Sequence, residues 1–232
     1  MTRRALQQQW LPTKQVIIPF IGPSGRATFP TGAWDIWAPA FSWNTLQGRT
    51  PTCWFELHRR DWYTQPKTWR REYGLWLQTQ VERPVVMWEK DPSVLRSVEY
   101  PLADVLAAHP APGPLHGTFD WLMALAICLD AHEIAGWGVD YDDLHEKLYQ
   151  QPGAAYWVGY ARGCGITVTL SPGCTLLDTP MPPAQRYGQD YPPWPAGHHP
   201  DDYPCQYQEA RKVSFIETTQ SVVRPYDVLP LS

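Results

Sequence analysis

Apolar positions along this chain follow two alternating periods, and the alternation names its elements. The run Gln15 to Ile21 (QVIIPFI) is short, apolar and rich in β-branched residues. It breaks at Gly22-Pro23-Ser24-Gly25, the pattern of a buried strand entering a tight loop. Asp35 to Ala38 (DIWA), Cys53 to Leu57 (CWFEL) and Pro84 to Trp88 (PVVMW) read as further short strands. From Lys67 the period becomes helical: Trp69, Tyr73, Trp76 and Leu77 form one stripe, with Arg70 and Arg71 off it. Thr118 is placed to cap a helix (FDWLMALAICLDAH) that is apolar almost all round, which predicts burial, and Glu133 to Gly138 then predicts a strand ending in Gly138-Val139-Asp140. After a polar stretch to Gln151, the positions Ala154, Trp157, Val158 and Ala161 mark one face of another helix. Gly163 and Gly165 stop it before a strand over Ile166 to Leu170. Strands alternating with helices predict an α/β domain: a mainly parallel sheet with helices on both faces.

This domain is expected over residues 1–178. From about Thr179 the character changes, because Pro182, Pro183, Pro192, Pro193, Pro195, Pro200 and Pro204 interleave with Tyr187, Tyr191, Trp194 and Tyr203. Such a stretch is neither continuous helix nor central strand. Residues 179–232 are therefore expected to form a proline- and aromatic-rich extension. Three readings of it stay open, namely an extended segment packing its rings on the domain, an arm for a protein partner or a second copy of the chain, and a lid. Val213 to Val223 is a candidate last strand.

Composition narrows the function classes. The 232 residues are 44% hydrophobic and 18% charged, which is globular rather than disordered. A net charge of -4 argues against a wholesale polyanion binder, while nucleic acid stays open through a local basic patch. No apolar run is long enough to span a bilayer, and the basic Arg3-Arg4 is followed by Gln7-Gln8-Gln9 instead of an apolar stretch, so a signal peptide and membrane insertion are not expected. A cytoplasmic location is the expectation. The five cysteines are scattered without a Cys-x-x-Cys pair, which signals neither a disulfide framework nor a zinc site.

Candidate chemistry falls at the carboxyl ends of the expected strands, where open parallel sheets bind ligands. Gly22, Pro23 and Ser24 follow the first strand, where glycine lets backbone approach a phosphate and a serine hydroxyl donates to one. His58 follows the third strand and has the chemistry of a general acid or base. Arg59, Arg60, Lys67, Arg70 and Arg71 form a basic cluster suited to a pyrophosphate or to the solvated side of a helix. Asp140 ends the strand before a loop crowded with Asp142, Asp143, His145 and Glu146, and its carboxylate suits a sugar hydroxyl, a metal or a helix cap. His198-His199-Pro200-Asp201-Asp202 has metal-ligand residue types but reads as a solvated loop. No metal site is expected. Neither a Gly-x-Ser-x-Gly nor a P-loop motif occurs.

The order of these pieces resembles a group of Rossmann-like phage proteins. It is also similar to the bacterial lipooligosaccharide sialyltransferases of glycosyltransferase family 42 and to the 6-hydroxymethylpterin diphosphokinase-like family. The resemblance covers roughly Val16 to Leu177 and is strongest at Gly22-Pro23-Ser24, at Thr118 to Ile127 with Gly138-Val139-Asp140, and at Tyr156 to Leu177. It implies a Rossmann-like fold and a nucleotide or nucleotide sugar as donor substrate, bound by Gly22, Ser24 and Thr118; Arg59 and Arg60 of the basic cluster are the candidates for its phosphate. A catalytic histidine ahead of the penultimate helix is implied as well, and His145 is the nearest one here. Catalytic candidates are thus His145, His58 and Asp140. The chain departs from the pattern at Phe20, where the family's loop has glycine, and at Phe119 and Asp120, where it has small hydroxyl residues; both changes are expected to narrow the room for a phosphate. The reading is a nucleotide-dependent, glycosyltransferase-like transferase of phage type. The alternative is a non-catalytic phage accessory protein that binds a protein partner through its aromatic surface.

Overall fold

The computed structural model describes residues 3–64, 68–109, 113–142 and 144–178, without the side chains of residues 43–45, 68–70, 144 and 145. The expected extension over 179–232, with its candidate strand and its histidine pair, lies outside the described residues.

The chain runs α1 (Arg3–Trp10), β1 (Gln15–Pro19), β2 (Asp35–Pro39), β3 (Cys53–Glu56), α2 (Arg60–Tyr63), α3 (Thr68–Gln78), β4 (Val85–Met87), β5 (Ser97–Glu99), α4 (Leu102–Ala108), α5 (Thr118–Cys128), β6 (Glu133–Trp137), α6 (Leu144–Tyr149), α7 (Gln151–Gly163) and β7 (Thr167–Leu170). The seven strands form one sheet in the order β5-β4-β3-β2-β1-β6-β7. Every pairing is parallel. This is the Rossmann-like α/β architecture expected from the alternation of periods. The chain winds outward from β1 to β5, then returns to the other side of β1 with β6 and β7. The direction of winding therefore reverses between β1 and β6, where Ile18 pairs with Gly136 and Pro19 with Trp137. The crevice at such a reversal is where sheets of this kind hold ligands.

Period-two alternation along the strands sorts their side chains onto two faces. Val16 and Ile18 of β1, Trp37 of β2, Cys53 and Phe55 of β3 and Ile134 of β6 pack in one cluster with α1, α5 and α7. Ile36 and Ala38 of β2, Trp54 of β3 and Val85 and Met87 of β4 pack in another with Tyr63 and Leu77 from α2 and α3. Helix α5 is buried along nearly its whole length, as its uniform apolarity predicts. Trp10, Trp37, Trp157, Phe55 and Phe119 are among the largest fully buried side chains. Each such aromatic contributes on the order of 2–3 kcal/mol by area removed from water.

Five elements, α1, α2, β5, α4 and α6, escape a pattern reading, and three of them show why. Helix α1 carries only Leu6 and Trp10 as buried anchors among polar residues, and its end is tied down by Trp37 Nε1 donating to the Trp10 carbonyl at 2.7 Å. Strand β5 is a three-residue edge strand, too short to show a period. Helix α6 lies inside the stretch that reads as polar loop. The start of α5 also differs in detail from the expected threonine cap. Gly117 is the capping residue, Thr118 is the first helical residue, and the carboxylate of Asp120 reaches back to accept from the N–H groups of His116 (2.9 Å) and Gly117 (3.2 Å). Gly117 has no side chain to bond the first turn, and Asp120 supplies the reciprocal half of a capping box by accepting from the capping residue's own N–H.

Candidate functional site

At the winding reversal the loops after β1 and β6 are cross-tied. Gly22 N–H donates to the Gly138 carbonyl at 3.0 Å. A Cβ on Gly22 would lie 2.4 Å from that oxygen and 2.6 Å from Oδ2 of Asp140, and Gly138 itself has φ +71 and sits 2.9 Å from Gly25 Cα by the same measure. Both glycines are thus required by backbone lying against backbone. Asp140 spends both carboxylate oxygens on backbone: Oδ2 accepts from Ser24 N–H at 2.6 Å and Oδ1 from Thr175 N–H at 3.1 Å. The Ser24 hydroxyl turns inward to share a 2.6 Å hydrogen bond with Ser171 Oγ, which also accepts from Gly138 N–H at 3.0 Å. Asp140 and Ser24 therefore bind together the loops that follow β1, β6 and β7.

Above this knot opens a cleft of about 790 Å³. Gly22 and Pro23 line it on one side, Gly117 and Thr118 at the amino end of α5 on another, and Asp140, Asp142 and Glu146 on a third. Its walls are aromatic: Phe20, Phe41, Trp62, Trp121 and Tyr141 all face it. Phe20 meets Phe41 edge-on at 5.8 Å and Phe119 at 5.9 Å. Phe119 itself is fully buried and lies beneath the cleft, outside its lining, so its bulk takes no space from a ligand. Among the described residues, no lysine or arginine lines this cleft. Burial pushes Asp120 up to about 6, against the opposing pull of the His116 and Gly117 N–H groups.

His58 lies at the rim, and it also lines a second cleft of about 450 Å³ formed beyond the ends of β3 and β4. Arg59, Arg60 and Lys90 line that second cleft together with the acids Asp61, Glu89 and Asp91. Arg60 Nε lies 3.5 Å from Asp91 Oδ2, which also accepts from the Tyr63 hydroxyl at 2.7 Å. Burial alone would raise Asp91, but the hydrogen bonds from Tyr63 and Ser93 and the Arg60 charge outweigh it and hold the carboxyl below its ordinary value. The ring of His58 stacks on the Trp62 indole with centroids 3.8 Å apart and planes 7° from parallel. Behind it, Glu56 Oε1 lies 2.6 Å from Nδ1 and accepts the His58 backbone N–H at 2.8 Å. The Tyr73 hydroxyl donates to Glu56 Oε2.

Gly22, Thr118, Asp140 and His58 all line the main cleft. The structure puts Arg59 and Arg60 in the adjoining cleft and turns the Ser24 side chain away from both. His145 falls in the first turn of α6, and its side chain is outside the described residues. Glu56, Tyr73 and His116 are absent from the sequence-based set. Glu56 was legible in principle, as an acid inside the apolar run CWFEL, where a charge is expected only with partners. His116 lines the main cleft, and its Nδ1 lies 3.1 Å from the Tyr149 carbonyl. Among the described residues, no group of three His, Cys, Asp or Glu side chains is placed to hold a metal ion, and no helix is long and apolar enough to cross a membrane.

No known protein family and no curated protein matches this sequence. Solved structures similar to the chain include two of the sialyltransferase CstII from Campylobacter jejuni. One is in complex with the substrate analogue CMP-3FNeuAc, with 14% identity over 70% of this chain and 82% of that one and a TM-score of 0.47. The other is with cytidine-5'-monophosphate, with 14% identity over 70% and 81% and a TM-score of 0.46. This is a likeness of fold, to a glycosyltransferase. It does not bear on the resemblance to phage proteins or to the pterin diphosphokinase-like family.

Proposed function

We propose that this protein is a glycosyltransferase-like enzyme that transfers a group from a nucleotide-activated donor. The observation that carries the reading is the placement of His58: its imidazole stands on the wall shared by an aromatic cleft at the winding reversal and a cleft lined by Arg59, Arg60 and Lys90. A nucleotide has the same two-part chemistry. Its base and sugar fit among Phe20, Phe41, Trp62, Trp121 and Tyr141, where ring faces supply stacking. Its phosphate, at the rim, meets the guanidinium groups that favour such an anion.

In this reading His58 is the general base. Its ring takes the proton from an acceptor hydroxyl as that oxygen bonds the donor carbon, while the bond from that carbon to the donor phosphate oxygen breaks and the nucleotide leaves with the electron pair. Arg59 and Arg60 offset the charge that develops on the leaving phosphate. Asp140 acts indirectly, by holding the Gly22 loop in place. His145 stays a second candidate for the base through the resemblance alone.

The test is binding. Titration of the protein with a panel of nucleoside monophosphates, diphosphates and nucleotide sugars, followed by calorimetry and melting, is expected to find at least one that binds in the micromolar range. At about 100 times its Kd such a ligand adds about 2.7 kcal/mol of stability. Absence of both heat and melting shift across the panel overturns the reading.

A further inference from the structure

We propose that Glu56 and Tyr73 make His58 a preset proton acceptor: Glu56 is the positioning residue that keeps Nδ1 protonated and leaves Nε2 as the basic nitrogen facing the clefts. The inference deepens the proposed function and rests on His58 as its base.

The argument starts from burial. The Glu56 side chain is 0% exposed, at the carboxyl end of a central strand, where an acid survives only if donors surround it. Three surround it: the backbone N–H of His58, the Nδ1 edge of its ring and the hydroxyl of Tyr73. Burial, reinforced by the Glu56 charge, raises Tyr73 far above the ordinary phenol value, so its hydroxyl keeps its proton and donates. With Glu56 as the acceptor of all three contacts, Nδ1 is the nitrogen that carries the proton. In the neutral ring that leaves the lone pair on Nε2, at the edge away from Glu56. The ring is 34% exposed and borders both clefts.

Trp62 completes the unit. Its indole lies flat against the imidazole, which blocks rotation about the side chain and lends the ring face a site that favours a cation. When Nε2 takes up a proton, the resulting imidazolium finds a carboxylate on its other nitrogen and a π-face on its flank. The device is therefore built to stabilise the charge that proton uptake creates, the role a buried acid plays behind a catalytic histidine.

The decisive measurement is the tautomer of His58, read from two-bond proton–nitrogen correlations on the ligand-free protein. In the wild type we expect Nδ1 to carry the proton and Nε2 to be bare. Glu56→Leu should shift the Nδ1–H to Nε2–H ratio toward Nε2–H by about tenfold or more, the factor a charge-assisted hydrogen bond supports. Tyr73→Phe, which leaves Glu56 in place, should move it only a few-fold. If Glu56→Leu fails to fold, Glu56→Gln serves, with the preference for Nδ1–H reduced. A wild-type ring that carries its proton on Nε2, or a ratio unchanged in the folded Glu56 variant, overturns the proposal. Because no donor is present, the result stands apart from the nucleotide titration: failure there sinks the transferase reading and leaves the tautomer as measured. A Glu56 whose role ended at the His58 backbone N–H and the Tyr73 hydroxyl would alter melting without moving the proton between the two ring nitrogens.

Discussion

Two carboxylates at the same edge of the sheet have opposite fates. Asp140 follows β6 and gives both oxygens to backbone N–H groups, so that the loops after β1 and β7 are tied to its own. Glu56 ends β3 and gives one oxygen to an imidazole and the other to a phenol. The first arrangement holds loops together through backbone, whereas the second ends in a ring that borders two clefts. Both are acids at the carboxyl side of a strand, Glu56 as the last residue of β3 and Asp140 in the loop that follows β6. What differs is the partner, and the partner separates a fastening from a reactive group.

The sharpest break in that comparison is functional. With the donor and acceptor in hand, His58→Ala is expected to lower turnover by about a hundred- to ten-thousand-fold, the span typical of a lost general base. Its melting temperature should also fall, because the buried Glu56 loses one of its three donors, so turnover is read on the folded variant. A loss of folding with no specific loss of rate would put His58 on the side of Asp140.

On that fastened side, Gly138→Ala should have the largest effect on stability. The position combines φ +71 with a Cβ that would fall 2.5 Å from the Phe20 carbonyl, and a loss of about 3 kcal/mol or more is expected in urea unfolding. Asp140→Ala follows at about 2–3 kcal/mol, because it strands two backbone donors that the carboxylate satisfies. Asp140→Asn, with a single acceptor oxygen, should recover about half. If Asp140→Ala proves as stable as the wild type while turnover collapses, Asp140 belongs with the chemistry after all.

A third acid tests the comparison most gently. Asp120 caps α5 at the edge of the main cleft and is raised to about 6 by burial. A carboxyl raised on folding binds more protons in the native than in the unfolded state between its two pKa values, so stability falls as pH rises from about 4 to about 6 and then levels. The sum is on the order of 2 kcal/mol, and it should vanish from the pH dependence of unfolding in Asp120→Asn. A stability that rises across that interval, with no difference between the two proteins, would show that the carboxylate is at ease beside the helix end.

The residue pattern by itself determined the class of this fold. Short β-branched runs such as QVIIPFI, a helix apolar on every side and glycine-bounded turns are local signals, because they reflect burial and backbone freedom residue by residue. For the same reason the cleft was legible in outline: Gly22, His58, Thr118 and Asp140 each follow or face a strand end. Only the tertiary structure decided which of them are fastenings. Ser24 meets Asp140 and Ser171 across separations of 116 and 147 residues, and no pattern along the chain reports such a pairing. Glu56 is two residues from His58, but its significance comes from Tyr73, which α3 brings to the other oxygen. Periodicity records which face of an element is buried, but the chemistry of a side chain is set by the groups that the folded chain places against it.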